Sequence, residues 1–310
     1  MPKHYLSVTD LSDKEAEALL KLALELKAEW KSTGTHKEQP LRNKTMALVF
    51  EKPSLRTRVA FEAGMNQLGG SASYLAARDI DMGGRESVPD VARNLSRFVQ
   101  IISARVFRHA TVQELARYSS VPVINALCDR EHPCQVLADM LTLLEKYGRL
   151  QGLTLSYIGD GNNNMCHSLL LLGAMLGVNV QVGCPQDYQP EPDILEQAHK
   201  IAADHDCSIT VTRSPQEAVQ KADAVYTDVW TSMGQEHERA QRLPVFAPYQ
   251  VNAALMGEAP KDALFMHCLP AHRGEEVTPD VIDGSRSVVF DQAENRLHVQ
   301  KALVLTLLQS

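Results

Sequence analysis

The stretch TMALVFEKPSLRTR (residues 45–58) decides the architecture. Thr45 to Phe50 is an apolar run of strand length without polar alternation, as expected for a strand covered on both faces. Pro53 ends it. Ser54 then stands where a helix N-cap belongs, and the residues after it can continue as helix. A strand running straight into a capped helix is the repeating unit of a parallel α/β sheet. The same turn packs two hydroxyls and two guanidiniums into Ser54, Leu55, Arg56, Thr57 and Arg58. Peptide N–H groups at a helix N-terminus point outward with the positive end of the helix dipole, and Arg forks match phosphate oxygens in pairs. The segment reads as an anion site or as an ordinary capped helix with solvated arginines.

Apolar strands alternate with helical patterns on both sides of this stretch. Ser12 and Glu15 form a capping box ahead of Ala16, Leu19, Leu20, Ala23 and Leu26, which share one face of an amphipathic helix. Further strands are expected at Ile101 to Phe107 and Val121 to Leu127. A second series follows at Leu153 to Ile158, Val178 to Gly183, Ser208 to Thr212, Ala224 to Asp228 and Ala263 to His267. Glycines and charges interrupt the pattern between Lys146 and Gly152. The fold class is therefore α/β, with two doubly wound parallel-sheet domains and flanking helices. A chain of 310 residues is long enough for two such domains.

Composition narrows the function classes. A net charge of −7 argues against general binding to nucleic acid, which leaves a basic footprint, so any anionic ligand must be attracted locally. Six cysteines are scattered without a C-x-x-C pair, which indicates neither a disulfide framework nor a zinc cage and makes a reducing cytoplasm the expected location. No apolar run approaches the roughly 18 residues of a membrane span, and the N-terminus lacks a basic-then-apolar signal design.

Two more strand exits carry polar chemistry. His132, Pro133, Cys134 and Gln135 follow the apolar stretch Val121 to Leu127 and open a helix, with Pro133 suited to its first turn. His267, Cys268, Leu269 and Pro270 follow Ala263 to Met266. With the Ser54–Arg58 turn, these loops resemble the carbamoyltransferases over essentially the whole chain from Glu51 to Arg296. Within that family, the loop from Asp228 through Ser232, Met233 and Gly234, and the cysteine after His267, are similar to the ornithine-using branch rather than the aspartate-using one.

The resemblance implies transfer of the carbamoyl group of carbamoyl phosphate to the δ-amine of L-ornithine, giving L-citrulline and phosphate, in arginine metabolism. No metal or organic cofactor is implied. It implies a carbamoyl phosphate-binding domain over residues 1–147, joined by a C-terminal helix at 291–310, and an ornithine-binding domain over residues 148–290. Ser54, Leu55, Arg56, Thr57, Arg105 and Arg296 are expected to hold the phosphate. His132, Thr57 and Arg105 would face the carbonyl oxygen, while Pro133, Cys134, Gln135 and Leu269 would border the carbamoyl group. Asn164, Asp228, Ser232 and Met233 would hold the amino-acid head. Cys268 would meet the δ-nitrogen and, with Arg105 and His132, form the catalytic set. Asp81 stands where the family often has glutamine, in a loop that reaches a neighbouring subunit's site, and a bond to Arg85 is one way to accommodate it. A homotrimer with sites at subunit interfaces is implied by resemblance alone.

Other readings have residues against them. Gly159, Gly161 and the following helix suggest a dinucleotide fold, but Asn164 occupies the third glycine position and no acidic residue closes the next strand. No Walker-type phosphate loop is present. His267, Cys268 and His272 could be read as zinc ligands, but adjacent residues on an extended segment point to opposite sides. A non-catalytic paralogue that keeps the fold would not need every chemical position filled.

Overall fold

The computed structural model describes residues 2–231 and 236–309. The chain divides into two compact units, Met1–Leu141 with Glu294–Ser310, and Thr142–Ala293.

The first unit is built on β1 (Thr45–Phe50), β2 (Ser71–Ala76), β3 (Ile101–Arg105) and β4 (Val123–Leu127). They pair in parallel in the order β2-β1-β3-β4. Three of the four are the strands expected from apolar runs, with β3 ending at Arg105 instead of running to Phe107. The fourth, β2, escaped sequence reading because its residues, SASYLA, are mostly small and it lies on the sheet edge with no fully buried position. The other edge is extended by the N-terminus, where Tyr5 N–H donates to the Val123 carbonyl (2.8 Å) and the Tyr5 carbonyl accepts from Asn125 N–H (2.7 Å). One layer of core joins Ala47, Val49, Ile102 and Ala104 of the sheet to Val91, Ala92, Val112 and Leu115 of the helices Val88–Phe98 and His109–Tyr118.

The amphipathic helix Asp13–Thr33 carries the Ser12–Glu15 capping box and buries Ala16, Leu19, Leu20, Ala23 and Leu26. From Glu294 onward the C-terminal helix Val289–Leu308 belongs to the first unit. Polar side chains secure it there. The buried Lys301 ammonium contacts His36 Nε2 (2.9 Å) and donates to Gln67 Oε1 (3.0 Å), and Asn295 Oδ1 accepts from Lys27 (2.8 Å). Burial pulls the Lys301 amine down to about 8.

The second unit contains β5 (Thr154–Ile158), β6 (Asn179–Gly183), β7 (Ile209–Thr212), β8 (Ala224–Thr227) and β9 (Leu264–His267), all parallel in the order β7-β6-β5-β8-β9. All five expected strands of the second series are present. Among the described residues, no helix is long and apolar enough to cross a membrane.

Both sheets reverse their winding beside their first strand. In the first unit the chain moves from β1 to β2 and then crosses to β3. In the second it moves from β5 through β6 and β7, then returns to β8. Ligand crevices in open α/β sheets form beyond the carboxyl ends of strands at such switch points. Those ends carry Ser54–Thr57 and Arg105 in the first unit, and Asp160–Asn164 and Asp228 in the second.

Gly161 has a packing task here. A Cβ added to it would lie 2.7 Å from the Tyr188 carbonyl oxygen and 2.9 Å from Pro190 Cδ, so the loop ahead of helix Asn164–Met175 approaches a neighbouring backbone closely. Gly161→Ala is expected to destabilise the protein by about 1–3 kcal/mol, the usual cost of overpacking, read as a lowered urea midpoint. An unchanged midpoint would show that this approach is not tight.

Candidate active site

Ser54 is the N-cap of helix Leu55–Gln67, and its hydroxyl accepts from Thr57 N–H (3.2 Å). The cap fixes the first helical turn, so Leu55, Arg56 and Thr57 are presented in sequence. Thr57 is buried, whereas the Leu55 side chain is 74% exposed, so what Leu55 can offer an anion is its peptide N–H. Arg58 is committed elsewhere, pairing with Glu62 (2.9 Å) and lying over the Tyr74 ring.

Arg105 closes β3, and its register partner is Phe50, the last residue of β1. The β3–β4 pairing slips between Ala104 and Arg105, an irregularity of the kind that re-aims a side chain. Arg105 is nearly buried at 7% exposure.

His132 and Gln135 sit at the start of helix Pro133–Tyr147, and Pro133 takes its first position as expected. Glu131 helps to seat this turn, because its buried carboxylate accepts from Val8 N–H (3.0 Å). Arg296 then reaches in from the C-terminal helix. Its guanidinium donates to Thr57 Oγ1 (2.8 Å) and to Gln135 Oε1 (3.0 Å), while Gln135 Nε2 donates to Asp139 Oδ1 (2.8 Å). Residues from three distant parts of the chain thus share one buried polar network.

Burial holds the His132 imidazole well below its ordinary pKa, and the fields of Arg296, Arg105 and Arg56 push it in the same direction. The ring is therefore neutral near pH 7, with one N–H to donate. Cys134 differs from its neighbours. Its thiol points into the core toward the Asn125 carbonyl (3.5 Å), and burial raises it to about 12, so only its main chain remains for a ligand.

Asp81 lines a cavity of about 260 Å³ with Phe50, Glu51, Leu75, Met82 and Phe107. It ends the short helix Ala77–Ile80 in a left-handed conformation, φ 46°. Its carboxylate accepts from the Arg85 main-chain N–H (3.0 Å). The expected link to Arg85 thus exists through the backbone, while the Arg85 guanidinium turns to the Asp79 carbonyl and Glu86.

In the second unit Thr227 pairs with His267, so Asp228 and Cys268 are the first residues past two adjacent strand ends. The Cys268 thiol donates to Asp228 Oδ1 (3.0 Å). Asn164 is the first residue of helix Asn164–Met175; the cap is Asn163, which accepts from Cys166 N–H (2.8 Å) and donates to Tyr157 Oη (2.6 Å). Ser232 and Met233 lie outside the described residues.

His267 and Cys268 do not diverge as strand alternation predicts. The donor atoms of Asp228, His267 and Cys268 lie within 4.8 Å of one another, because strand alternation stops at His267, the last residue of β9. Both His267 ring nitrogens have protein partners, with Nδ1 accepting from Leu269 N–H (2.8 Å) and Nε2 facing Glu276 (3.2 Å).

Sequence reasoning missed the buried ion pair of Arg242 with Asp160. Arg242 also donates to the Trp230 carbonyl (2.5 Å), so it joins the loops after β5 and β8. Burial pushes the Asp160 carboxyl up to about 6 against the pull of Arg242. An acidic residue between Gly159 and Gly161 was the available signal, but its partner 82 positions away had none.

A group-transfer enzyme for an anionic substrate is the class that this fold and these side chains define. Residues 3–145 match the carbamoyl-P binding domain, and residues 151–307 the Asp/Orn binding domain, of aspartate/ornithine carbamoyltransferase. The chain belongs to the aspartate/ornithine carbamoyltransferase family. It is 53% identical over 306 residues to the ornithine carbamoyltransferase of Anoxybacillus flavithermus, covering 99% of this chain and 96% of that one. Identity to the Bacillus subtilis ornithine carbamoyltransferase is 51% over 307 residues, covering 99% and 94%. The solved ornithine carbamoyltransferase of Pyrococcus furiosus superposes with a TM-score of 0.94 at 48% identity, covering 97% of this chain and 95% of that one.

The His132 environment makes a direct prediction. In the unliganded protein its ring resonances should not titrate between pH 8 and pH 6. Arg296→Gln removes the largest charge opposing protonation and should move the His132 midpoint upward. An ordinary titration near pH 6.5 in the unmodified protein would contradict the assignment.

Proposed function

We propose that this protein transfers the carbamoyl group of carbamoyl phosphate to the δ-amine of L-ornithine, forming L-citrulline and phosphate. The observation that carries this reading is the arginine-bound polar network of Thr57, Gln135 and Arg296 at the first switch point, in a chain 53% identical to an ornithine carbamoyltransferase. The first unit serves carbamoyl phosphate and the second serves ornithine.

Carbamoyl phosphate has a weakly electrophilic carbon and a phosphate that departs as an anion. Ser54, Arg56, Thr57, Arg105 and Arg296, with the Leu55 peptide N–H, hold that phosphate and stabilise the charge it carries away. The neutral His132 ring, with Thr57 and Arg105, donates to the carbonyl oxygen as negative charge grows there. Loss of one such donor costs on the order of 10²–10³ in rate. Gln135 and the Leu269 carbonyl orient the carbamoyl NH2, with the Pro133–Cys134 main chain bordering it. Asp81 approaches the phosphate side of a neighbouring copy.

The nucleophile must first lose a proton to solvent, and the second proton freed from nitrogen as the C–N bond forms and the C–O bond breaks leaves on the phosphate. An alkylamine with a pKa near ~10.4 has its neutral form about 4.6 kcal/mol uphill at pH 7, taking ~1.36 kcal/mol per unit. The positive groups disfavour the ammonium. Asp228, with Asn164, Ser232 and Met233, holds the amino-acid head. A Cys268 thiol whose proton is directed to Asp228 turns its sulfur lone pairs toward the amine and positions it.

The assembly is a homotrimer on this reading. Exposed Leu55, Val59 and Phe107, close in sequence or space to the first-unit site, supply apolar surface for it. Light scattering should give about three times the chain mass of 34.3 kDa; a monomer would exclude it. Six free cysteines suit a reducing cytoplasm.

A colorimetric citrulline assay with carbamoyl phosphate and ornithine, beside aspartate, putrescine and N-acetylornithine, tests the activity. A carbamoylated product should form with ornithine, as citrulline, and not with the other three acceptors, and kcat/KM for ornithine should rise from pH 7 toward pH 9 as the neutral amine accumulates. A profile flat across that range would remove the neutral-amine step, and absence of citrulline would remove the function.

A further inference from the structure

We propose that His267 and Glu276 are positioning residues for carbamoyl transfer, acting by holding the Cys268–Leu269 main chain in the conformation that the substrates meet. The inference rests on the reading of Cys268 and Leu269 given above.

His267 ends β9, and its side chain is fully buried together with that of Glu276. A peptide N–H can only donate, so the Leu269 N–H bond to Nδ1 (2.8 Å) leaves that nitrogen without a proton in the neutral ring. The proton is then on Nε2, which faces Glu276 Oε1 at 3.2 Å. The carboxylate is anchored in turn, because Oε1 also accepts from His272 N–H (2.5 Å). Glu276 thereby selects one tautomer, and only that tautomer can accept from Leu269.

Leu269 needs such a restraint. Its φ of +58° is left-handed, a conformation that L side chains rarely adopt because Cβ crowds the following carbonyl oxygen. Strained backbone of this kind persists where its surroundings over-determine it and concentrates at functional positions. The restraints here are the imidazole bond to the Leu269 N–H, the apolar packing of the Leu269 side chain against the second-unit core, and the anchoring of His267 N–H by Gln292 Oε1 (3.0 Å). Cys268 lies between the two tethered residues, with its thiol on Asp228. Filling the end of a buried strand does not require a histidine–carboxylate pair, since apolar residues of similar volume commonly replace buried ion pairs without loss of stability. A fixed acceptor for the Leu269 N–H does require a polar group at this place.

The test compares His267→Asn with His267→Leu in the full-length enzyme. Asparagine can accept from a peptide N–H two residues on, as in an Asx turn, but it loses Glu276; leucine fills the volume and accepts nothing. His267→Leu leaves the buried Glu276 carboxylate without its partner and should lower the thermal midpoint, so kcat is read well below that midpoint, where it should be 10- to 100-fold lower than in the unmodified enzyme. His267→Asn should recover at least several-fold of that loss. Glu276→Gln, which retains an acceptor for the His272 N–H, should lower kcat less than His267→Leu does. Nitrogen-15 spectra of the unmodified protein should show His267 protonated at Nε2 and bare at Nδ1. Full kcat in His267→Leu, or a proton on Nδ1, would overturn the proposal. If His267→Leu fails to fold, His267→Asn decides: a loss of kcat below 10-fold supports the Nδ1 tether, and a loss of 10-fold or more refutes it. Absence of citrulline formation by the unmodified enzyme would instead overturn the function on which the proposal rests.

Discussion

Parallel strand register is the constraint from which the candidate site follows. Because neighbouring strands run the same way, their carboxyl ends finish on one edge, and the residues just past each end emerge side by side. Phe50 opposite Arg105 brings the Ser54 turn and an arginine to one edge of the first sheet, and Thr227 opposite His267 does the same for Asp228 and Cys268 in the second. A slip of one residue in either pairing would turn those side chains to the other face, since strand side chains alternate with a period of two. The ladders are buried and apolar, so register is strongly specified and the polar exits inherit that precision.

The exits are held by side chains that are themselves tied down. Arg296 arrives from the far end of the chain and binds Thr57 and Gln135, while Asp139 steadies Gln135. In the second unit Arg242 joins Asp160 to the Trp230 carbonyl, and Glu276 fixes His267. Buried polar groups of this kind are costly unless paired, and paired they leave little freedom for the loops that carry them. Catalysis by placement and charge needs such loops. An arginine already oriented in a desolvated setting need not reorganise when negative charge develops. The same desolvation keeps His132 neutral, which preserves it as a hydrogen-bond donor of fixed protonation.

Much of this was legible in residue order. Among the described residues, eight of the nine strands announce themselves as short apolar runs, and the caps at Ser12 and Ser54 and the helix-opening Pro133 behave as local chemistry dictates. The edge strand β2 did not, because a strand with four serines and alanines among its six residues, at a sheet edge, carries little hydrophobic signal. Local reasoning also placed His267 and Cys268 on opposite sides, since it extended strand alternation one residue beyond the strand's end. The Cys134 thiol, between the buried polar side chains of His132 and Gln135, faces the core.

Local sequence by itself determined which segments are strands and helices, and which loops are rich in donors and cations, because propensity, capping and hydrophobic period act over a few residues. Only the tertiary structure decided that Arg296 meets Thr57, that Arg242 meets Asp160, and that Glu276 sets the tautomer of His267. Pairing across long separations depends on strand order, register and the return of the last helix, and these are properties of the packed chain rather than of any window along it.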